Sequence, residues 1–222
     1  MATATSSSSE LPRRGRRVRR VTGEDRERAI LETAERLLAQ RPLHEISVDD
    51  LARGAGISRP TFYFYFASKE AVVLSLLDRL VAQARQGIEL AMLASDPPRV
   101  IREGVRSVYE TFRAHRPLVL AVIGLRQTVP EARELWARVM ETFVAETAAA
   151  IAAERARGAA PDGPPPRELA IALNLMNERV LQSALEGQPP SIGEDVVDTL
   201  TATWLRVIYG ADAPAIGACA DG

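Results

Sequence analysis

The chain has 222 residues but only one cysteine, Cys219, one lysine, Lys69, and two histidines, His44 and His115. A single cysteine excludes an intrachain disulfide, and its tail of Ala, Gly and Asp gives no sign of an oxidising compartment. With no HxxxH or CxxC spacing, the sequence offers no metal site and calls for no cofactor. A G-x-S-x-G elbow and a phosphate-cradling glycine loop are missing as well. His44 falls in a loop and His115 at a helix end before Pro117, so both read as surface or capping groups. Catalysis is therefore not expected. No run reaches the ~20 apolar residues of a membrane span, and no apolar stretch follows the N-terminal arginines as in a signal peptide. The expectation is a soluble, cytoplasmic protein. Strand-period alternation and hairpin signals are also absent, which leaves an all-α fold; an apolar share of 46% is ample for its core.

The net charge of −1 conceals an asymmetry: residues 1–69 hold 13 Lys+Arg against 9 Asp+Glu, so the excess of acid lies in the remainder. The basic end is the candidate nucleic-acid face. Residues 1–21 read as a disordered arm that starts with the low-complexity MATATSSSSE and continues into six arginines, among them Arg16, Arg17, Arg19 and Arg20. Such a run is either a solvated tail or a strand of cations that follows phosphates into a minor groove.

Thr22 with Asp25 predicts a capping box, and Ile30, Leu31, Ala34, Leu37 and Leu38 recur at helical spacing until Arg41-Pro42. Ser47 with Asp50 predicts a second box, starting a helix at Val48 that Gly56 ends in the left-handed conformation. Ser58 then caps a short helix from Arg59 to Phe66, with Pro60 in its first turn. On a 3.6-residue wheel Phe62, Tyr65 and Phe66 face the first helix, leaving Pro60, Thr61, Tyr63 and Phe64 outward. Outward rings and hydroxyls suit a major groove, where they meet thymine methyls, base edges or phosphates. Lys69 beside Ser68 opens the next helix, where cation and amides could hold a phosphate. The candidate DNA contacts are thus Arg16, Arg17, Arg19, Arg20, Ser47, Arg59, Pro60, Thr61, Tyr63, Phe64, Tyr65 and Lys69.

The run LARGAGISRPTFYFYFASKEAV resembles the helix-turn-helix of the TetR family of dimeric repressors, in the family's usual place. DRERAILETAERLL, SKEAVVLSLLDR, ELWARVM and ALNLMNERVL extend the resemblance from about residue 11 to Gly210, toward a mycobacterial branch in which a Baeyer-Villiger monooxygenase gene is controlled. It implies a helix-turn-helix domain at 22–67, a ligand-binding and dimerisation domain at 68–210, operator DNA and a small apolar effector as partners, and a homodimer through the last two helices.

The remaining chain predicts six more helices, nine in all. One runs from Ser68 to about Leu93 and another from Pro97 to His115; the apolar segment LVLAVIGL follows, then a helix from Pro130 to near Gly158 and one from about Arg167. Ser191 with Glu194 predicts a third capping box for the last helix, which ends at Gly210 before a loose tail at 211–222. Asn174 and Asn177 share one face of an otherwise apolar helix. Buried amides need partners, so this pair either bonds neighbouring backbone or the dimer partner, or orients a small molecule in an apolar pocket. In the latter reading Asn177→Leu spares the fold as long as no other group depends on the amide. Phe112, Trp136, Met140, Phe143, Thr147 and Trp204 are the candidate walls, matching the narrow apolar tunnel that the resemblance implies. Ile101 and Val108 stand where that branch has aromatics, and Glu146 where it has a tyrosine. Regulation of an efflux pump by a multidrug sensor is the nearest alternative; a helical carrier or enzyme that binds no DNA is the more distant one.

Overall fold

A computed structural model of the chain describes residues 22–92, 96–193 and 195–210, and these are helical, with no strand among them. The order is α1 (Gly23–Leu38), α2 (Val48–Gly54), α3 (Arg59–Tyr65), α4 (Lys69–Ala91), α5 (Pro97–Ala114), α6 (Arg116–Thr128), α7 (Pro130–Ala156), α8 (Pro166–Glu186) and α9 (Val196–Tyr209), with a 3-10 turn at Leu43–Glu45.

Local chemistry sets most boundaries. At α1 the Thr22 hydroxyl accepts from the Asp25 amide at 3.1 Å, while Asp25 Oδ2 accepts from the Thr22 amide at 3.0 Å. Ser47 and Asp50 repeat that exchange at α2 with the same two distances, satisfying orphan donors of the first turn. Gly56, at φ +67, ends α2: its amide reaches Arg53 O, and the Ile57 amide reaches Ala52 O. These two bonds form a Schellman closure, and its left-handed residue has to be glycine or close to it. His115 is a shared corner, ending α5 and preceding α6, with Pro117 in the first turn of the new helix. LVLAVIGL is therefore the body of a complete helix. At α9 Ser191 does not take the expected capping place, and its expected partner Glu194 lies outside the described residues. That helix begins only at Val196, after a turn in which the Val196 amide reaches Gly193 O, and its N-cap is Asp195 with no side-chain cap bond. Ser191 is one turn too early to cap it, and its hydroxyl points to Ile192 O at 3.4 Å.

The largest core cluster is continuous from the first three helices into the rest of the chain. Ile30, Leu31, Leu51 and Phe62 are buried together with Val72, Leu76, Leu77 and Leu80 of α4, and further along with Val119 and Val122 of α6. Lys69 adds a polar clamp, its ammonium donating to Leu43 O and Ile46 O, both at 2.8 Å. Helix α4 is therefore fixed to the N-terminal helices at one end and packed on α5 along the other. A second cluster joins α7, α8 and α9 through Val144, Ile151, Leu173 and Leu205. A third joins α5, α8 and α9 through Val105, Leu181, Val196 and Leu200. A cavity remains where the three clusters meet.

Candidate nucleic-acid interface and ligand cavity

Helix α3 buries one side and presents the other. Phe62 is wholly buried and Phe66 nearly so, while Phe64 is 82% exposed and Tyr63 about half. A ring that open stays in water as in the unfolded chain, so folding gains nothing from it and, beside Tyr63, it is available to a partner surface. Arg59 extends along the same side, with Nη1 on Asp49 Oδ2 at 3.2 Å and its guanidinium 5.8 Å from the Tyr63 ring centre. The Tyr63 hydroxyl, then Asp49, raise the Arg59 pKa above its ordinary value. Pro60 is exposed, and the Thr61 hydroxyl shares a hydrogen bond with Ser58 Oγ at 2.8 Å.

Three other candidates are engaged in holding the fold. The Ser47 hydroxyl donates to Asp50 Oδ2 at 2.7 Å, so it has no proton left for a phosphate; that bond, then the Ser47 amide, hold the Asp50 carboxyl below its usual range. Tyr65 is half-buried, packs against the core and sends its hydroxyl toward Gly23 at the start of α1. Lys69, expected to face a phosphate, is turned inward onto two carbonyls at the end of the 3-10 turn before α2: Ile46 O, and Leu43 O, which also accepts from the Ile46 amide. Arg16, Arg17, Arg19 and Arg20 lie outside the described residues.

The cavity has a volume of about 680 Å³, and it is lined by the six expected walls, Phe112, Trp136, Met140, Phe143, Thr147 and Trp204, and by both asparagines, Asn174 and Asn177. The volume falls within the range of small-molecule sites. Asn174 Nδ2 donates to Thr147 Oγ1 at 3.1 Å and to Ala170 O at 2.9 Å. The Trp204 indole donates to Asn177 Oδ1 at 2.9 Å. A backbone carbonyl only accepts and an indole N–H only donates, so both amides have a fixed orientation. Asn174 thereby keeps Oδ1 as a spare acceptor and Asn177 keeps Nδ2 as a spare donor, since neither atom bonds a protein group among the described residues. An apolar molecule with a carbonyl, or an amide with both functions, finds its complement there. Trp204 also depends on Asn177, so the condition for a harmless Asn177→Leu replacement is not met: the change would strand the indole N–H.

Charged groups of the lining have partners distant in the sequence. Glu178, only 16% exposed, accepts from Arg126 at 2.7 Å and from the Trp136 indole at 2.8 Å, and Arg126 stacks 4.7 Å from the Trp136 ring centre. Elsewhere in the lining Glu154 takes a bidentate pair from Arg157, at 2.5 and 2.9 Å, and the Tyr209 hydroxyl at 2.7 Å. Arg157, then Tyr209, hold the Glu154 carboxyl below its usual range; burial, then Glu154, push the Tyr209 phenol well above its own. Glu178 follows Asn177 within the motif-bearing helix, but its partners lie 42 and 52 positions away, and local spacing gives no signal for them.

Comparison with known proteins follows the same division of the chain. The family described as "Bacterial regulatory proteins, tetR family" matches residues 30–76, and "Transcriptional regulator EthR, C-terminal domain" matches 101–210. The HTH-type transcriptional regulator EthR of Mycobacterium tuberculosis is 53% identical over 216 residues, spanning 95% of this chain and 99% of the relative. The chain belongs to the TetR family of transcriptional regulators. EthR of Mycolicibacterium smegmatis is 51% identical over 209 residues, spanning 93% and 96%. Among solved structures, a TetR-family regulator from Rhodococcus sp. aligns with TM-score 0.67 at 19% identity over 83% of this chain and 99% of that one. The fatty acid degradation regulator FadR from Bacillus halodurans aligns with TM-score 0.65 at 18% identity over 85% and 97%. At these identities the two structures speak for the fold alone. The regulator is thus an EthR-like DNA-binding protein whose α2, turn and α3 form the helix-turn-helix of the family, and no helix among its described residues is long and apolar enough to cross a membrane.

Proposed function

We propose that the regulator is a ligand-responsive repressor, a homodimer that places two α3 helices in successive major grooves and leaves its operator when a small, mostly apolar effector fills the cavity. The cavity carries this reading. It holds one spare acceptor and one spare donor among apolar walls drawn from α5, α7, α8 and α9. Helix α4, which also contributes Leu77 and Ile88 to the lining, shares a buried core with Phe62 of α3 and is clamped by Lys69 to the turn before α2. Any ligand that shifts α4 therefore shifts α3. Successive grooves on one face lie roughly 34 Å apart, so widening the pair costs contacts in both half-sites together. A differential affinity of ~1–3 kcal/mol between the two arrangements is enough for a useful response.

The dimer is assigned to α8 and α9, where Leu175 and Val207 stand exposed in the isolated chain, as apolar groups do when a second copy covers them. Arg59, Pro60, Thr61, Tyr63 and Phe64 form the groove-reading set, with the arginines of residues 1–21 adding phosphate contacts. Residues 22–67 act as the DNA-binding unit and 68–210 as the ligand-binding and dimerisation unit. The likeness to EthR supports a neighbouring Baeyer-Villiger monooxygenase gene as the target. A mobility shift with the DNA upstream of the regulator's own gene tests the reading: a specific complex at moderate salt, dissolved by dodecanamide, is expected. Absence of a specific complex overturns it.

A further inference from the structure

Among the described residues three carboxylates line the cavity, and they differ in how they are held. Glu154 has Arg157 and Tyr209, and Glu178 has Arg126 and Trp136; all four of these partners belong to the lining themselves. Among the described residues Glu146 has one partner, Arg85 of α4, which is not part of the lining. Both side chains of that pair are about two-fifths exposed, so Glu146 sits where the cavity meets solvent. Helix α4 packs chiefly on α5 and α6, whereas α7, which carries Glu146, packs chiefly on α8. The Arg85–Glu146 pair adds a polar tie between α4 and α7, which also meet directly and through α6.

We propose that Glu146 is the charge-selecting residue of the cavity and that the matching effector class is a long apolar molecule with a cationic amine head. This rests on the ligand-responsive reading above and adds the head group. The apolar body fills the walls, and the ammonium donates to Glu146 in place of Arg85. The exchange keeps a cation beside the carboxylate, so its charge is never left alone. It also cuts the tie from α7 to α4, and so joins recognition of the head to movement of the helix that carries the DNA-reading end. The other two carboxylates take no such role, since each would have to give up two partners.

The two tryptophans of the chain, Trp136 and Trp204, both line the cavity, so their fluorescence reports binding to the full-length dimer. Dodecylammonium, 1-dodecanol and dodecanoate are titrated below their micellar concentrations. The expected order is ammonium, then alcohol, then carboxylate, with ammonium about threefold to tenfold tighter than alcohol, as suits one half-exposed charged hydrogen bond. Glu146→Gln should abolish that preference and leave the affinity for the alcohol as it was. Arg85→Gln, which frees the carboxylate, should tighten ammonium alone. Equal affinities for ammonium and alcohol in the wild type overturn the proposal while the ligand-responsive reading stands. A preference that survives Glu146→Gln in a folded dimer overturns it as well. Failure of all three probes to bind overturns the cavity reading together with it.

Discussion

Replacing Asn177 by Leu tests the polar centre of the cavity. Leu keeps the branching and heavy-atom count of Asn with a larger volume placed at the cavity wall, so the effect is chiefly one of hydrogen bonding. The Trp204 indole, now 2.9 Å from Asn177 Oδ1, loses its acceptor. A buried donor left unpaired costs ~1–3 kcal/mol; Trp204 is half-buried beside an open cavity that can admit water, which places the cost in the lower part of that range. For a chain of this size each kcal/mol moves Tm by roughly 2–4 °C, so a fall of about 2–8 °C is expected. Trp204→Phe removes the donor instead, and with both replacements no N–H is stranded. The double variant should thus be more stable than the sum of the single changes, by ~1 kcal/mol of coupling. Scanning calorimetry of the four proteins at equal dimer concentration measures this. Strict additivity would show that the Asn177–Trp204 bond contributes nothing. In parallel, dodecanamide should bind Asn177→Leu more weakly by ~0.5–1.5 kcal/mol, one lost hydrogen bond. Loss of dimerisation with ligand affinity intact would assign the amide to the subunit interface instead.

On the recognition helix, Phe64→Ala and Tyr63→Ala should each weaken specific operator binding by ~1–3 kcal/mol and leave non-specific affinity and Tm nearly unchanged; an unaltered operator affinity in anisotropy titrations would remove α3 from the groove. Lys69→Met withdraws an ammonium from two carbonyls and should lower Tm by about 3–12 °C, from ~1.5–3 kcal/mol of charged hydrogen bonding. An unchanged Tm with weakened DNA binding would instead return Lys69 to the phosphate role that its place at a helix start suggested. The pH dependence has a definite sign at Glu154, whose carboxyl lies below its ordinary 4.5 in the folded chain because of Arg157 first. Between that lowered value and 4.5 the unfolded chain binds the extra proton, so the contribution is complete above 4.5 and is lost as pH falls through the folded value. Arg157→Gln should flatten the acid limb of a Tm–pH curve, and an identical limb would contradict the assignment.

Features set by neighbours three or four residues apart are legible in the sequence itself. Thr22 with Asp25, Ser47 with Asp50, Ser58 before Pro60 and the left-handed Gly56 are such local arrangements, and they fix the helix-turn-helix. The pattern S-x-x-E misleads at Ser191, because an intervening turn at Gly193 delays the helix and a local pattern does not count that turn. The lining is legible as a set of residue types on helical faces, the two asparagines above all. Its polar wiring is not. Lys69 reaches carbonyls 23 and 26 positions back, and Glu146 meets Arg85 across 61 positions. Such pairings follow from how α4 crosses the N-terminal helices and α7, and periodicity along one helix carries no record of that crossing. The same holds for the orientation of Asn174 and Asn177, which is decided by Ala170 O, Thr147 and Trp204.

The central claim is that a filled cavity changes the separation of the two DNA-reading helices. Spin labels on Gln40→Cys, an exposed site just beyond α1, with Cys219→Ser to remove the native thiol, report that separation in the dimer by pulsed electron spin resonance. A narrow distance distribution is expected with operator DNA bound, and a shift to longer distances when saturating dodecanamide releases it. A distribution unchanged by saturating ligand, while the operator complex still dissolves, would contradict the claim.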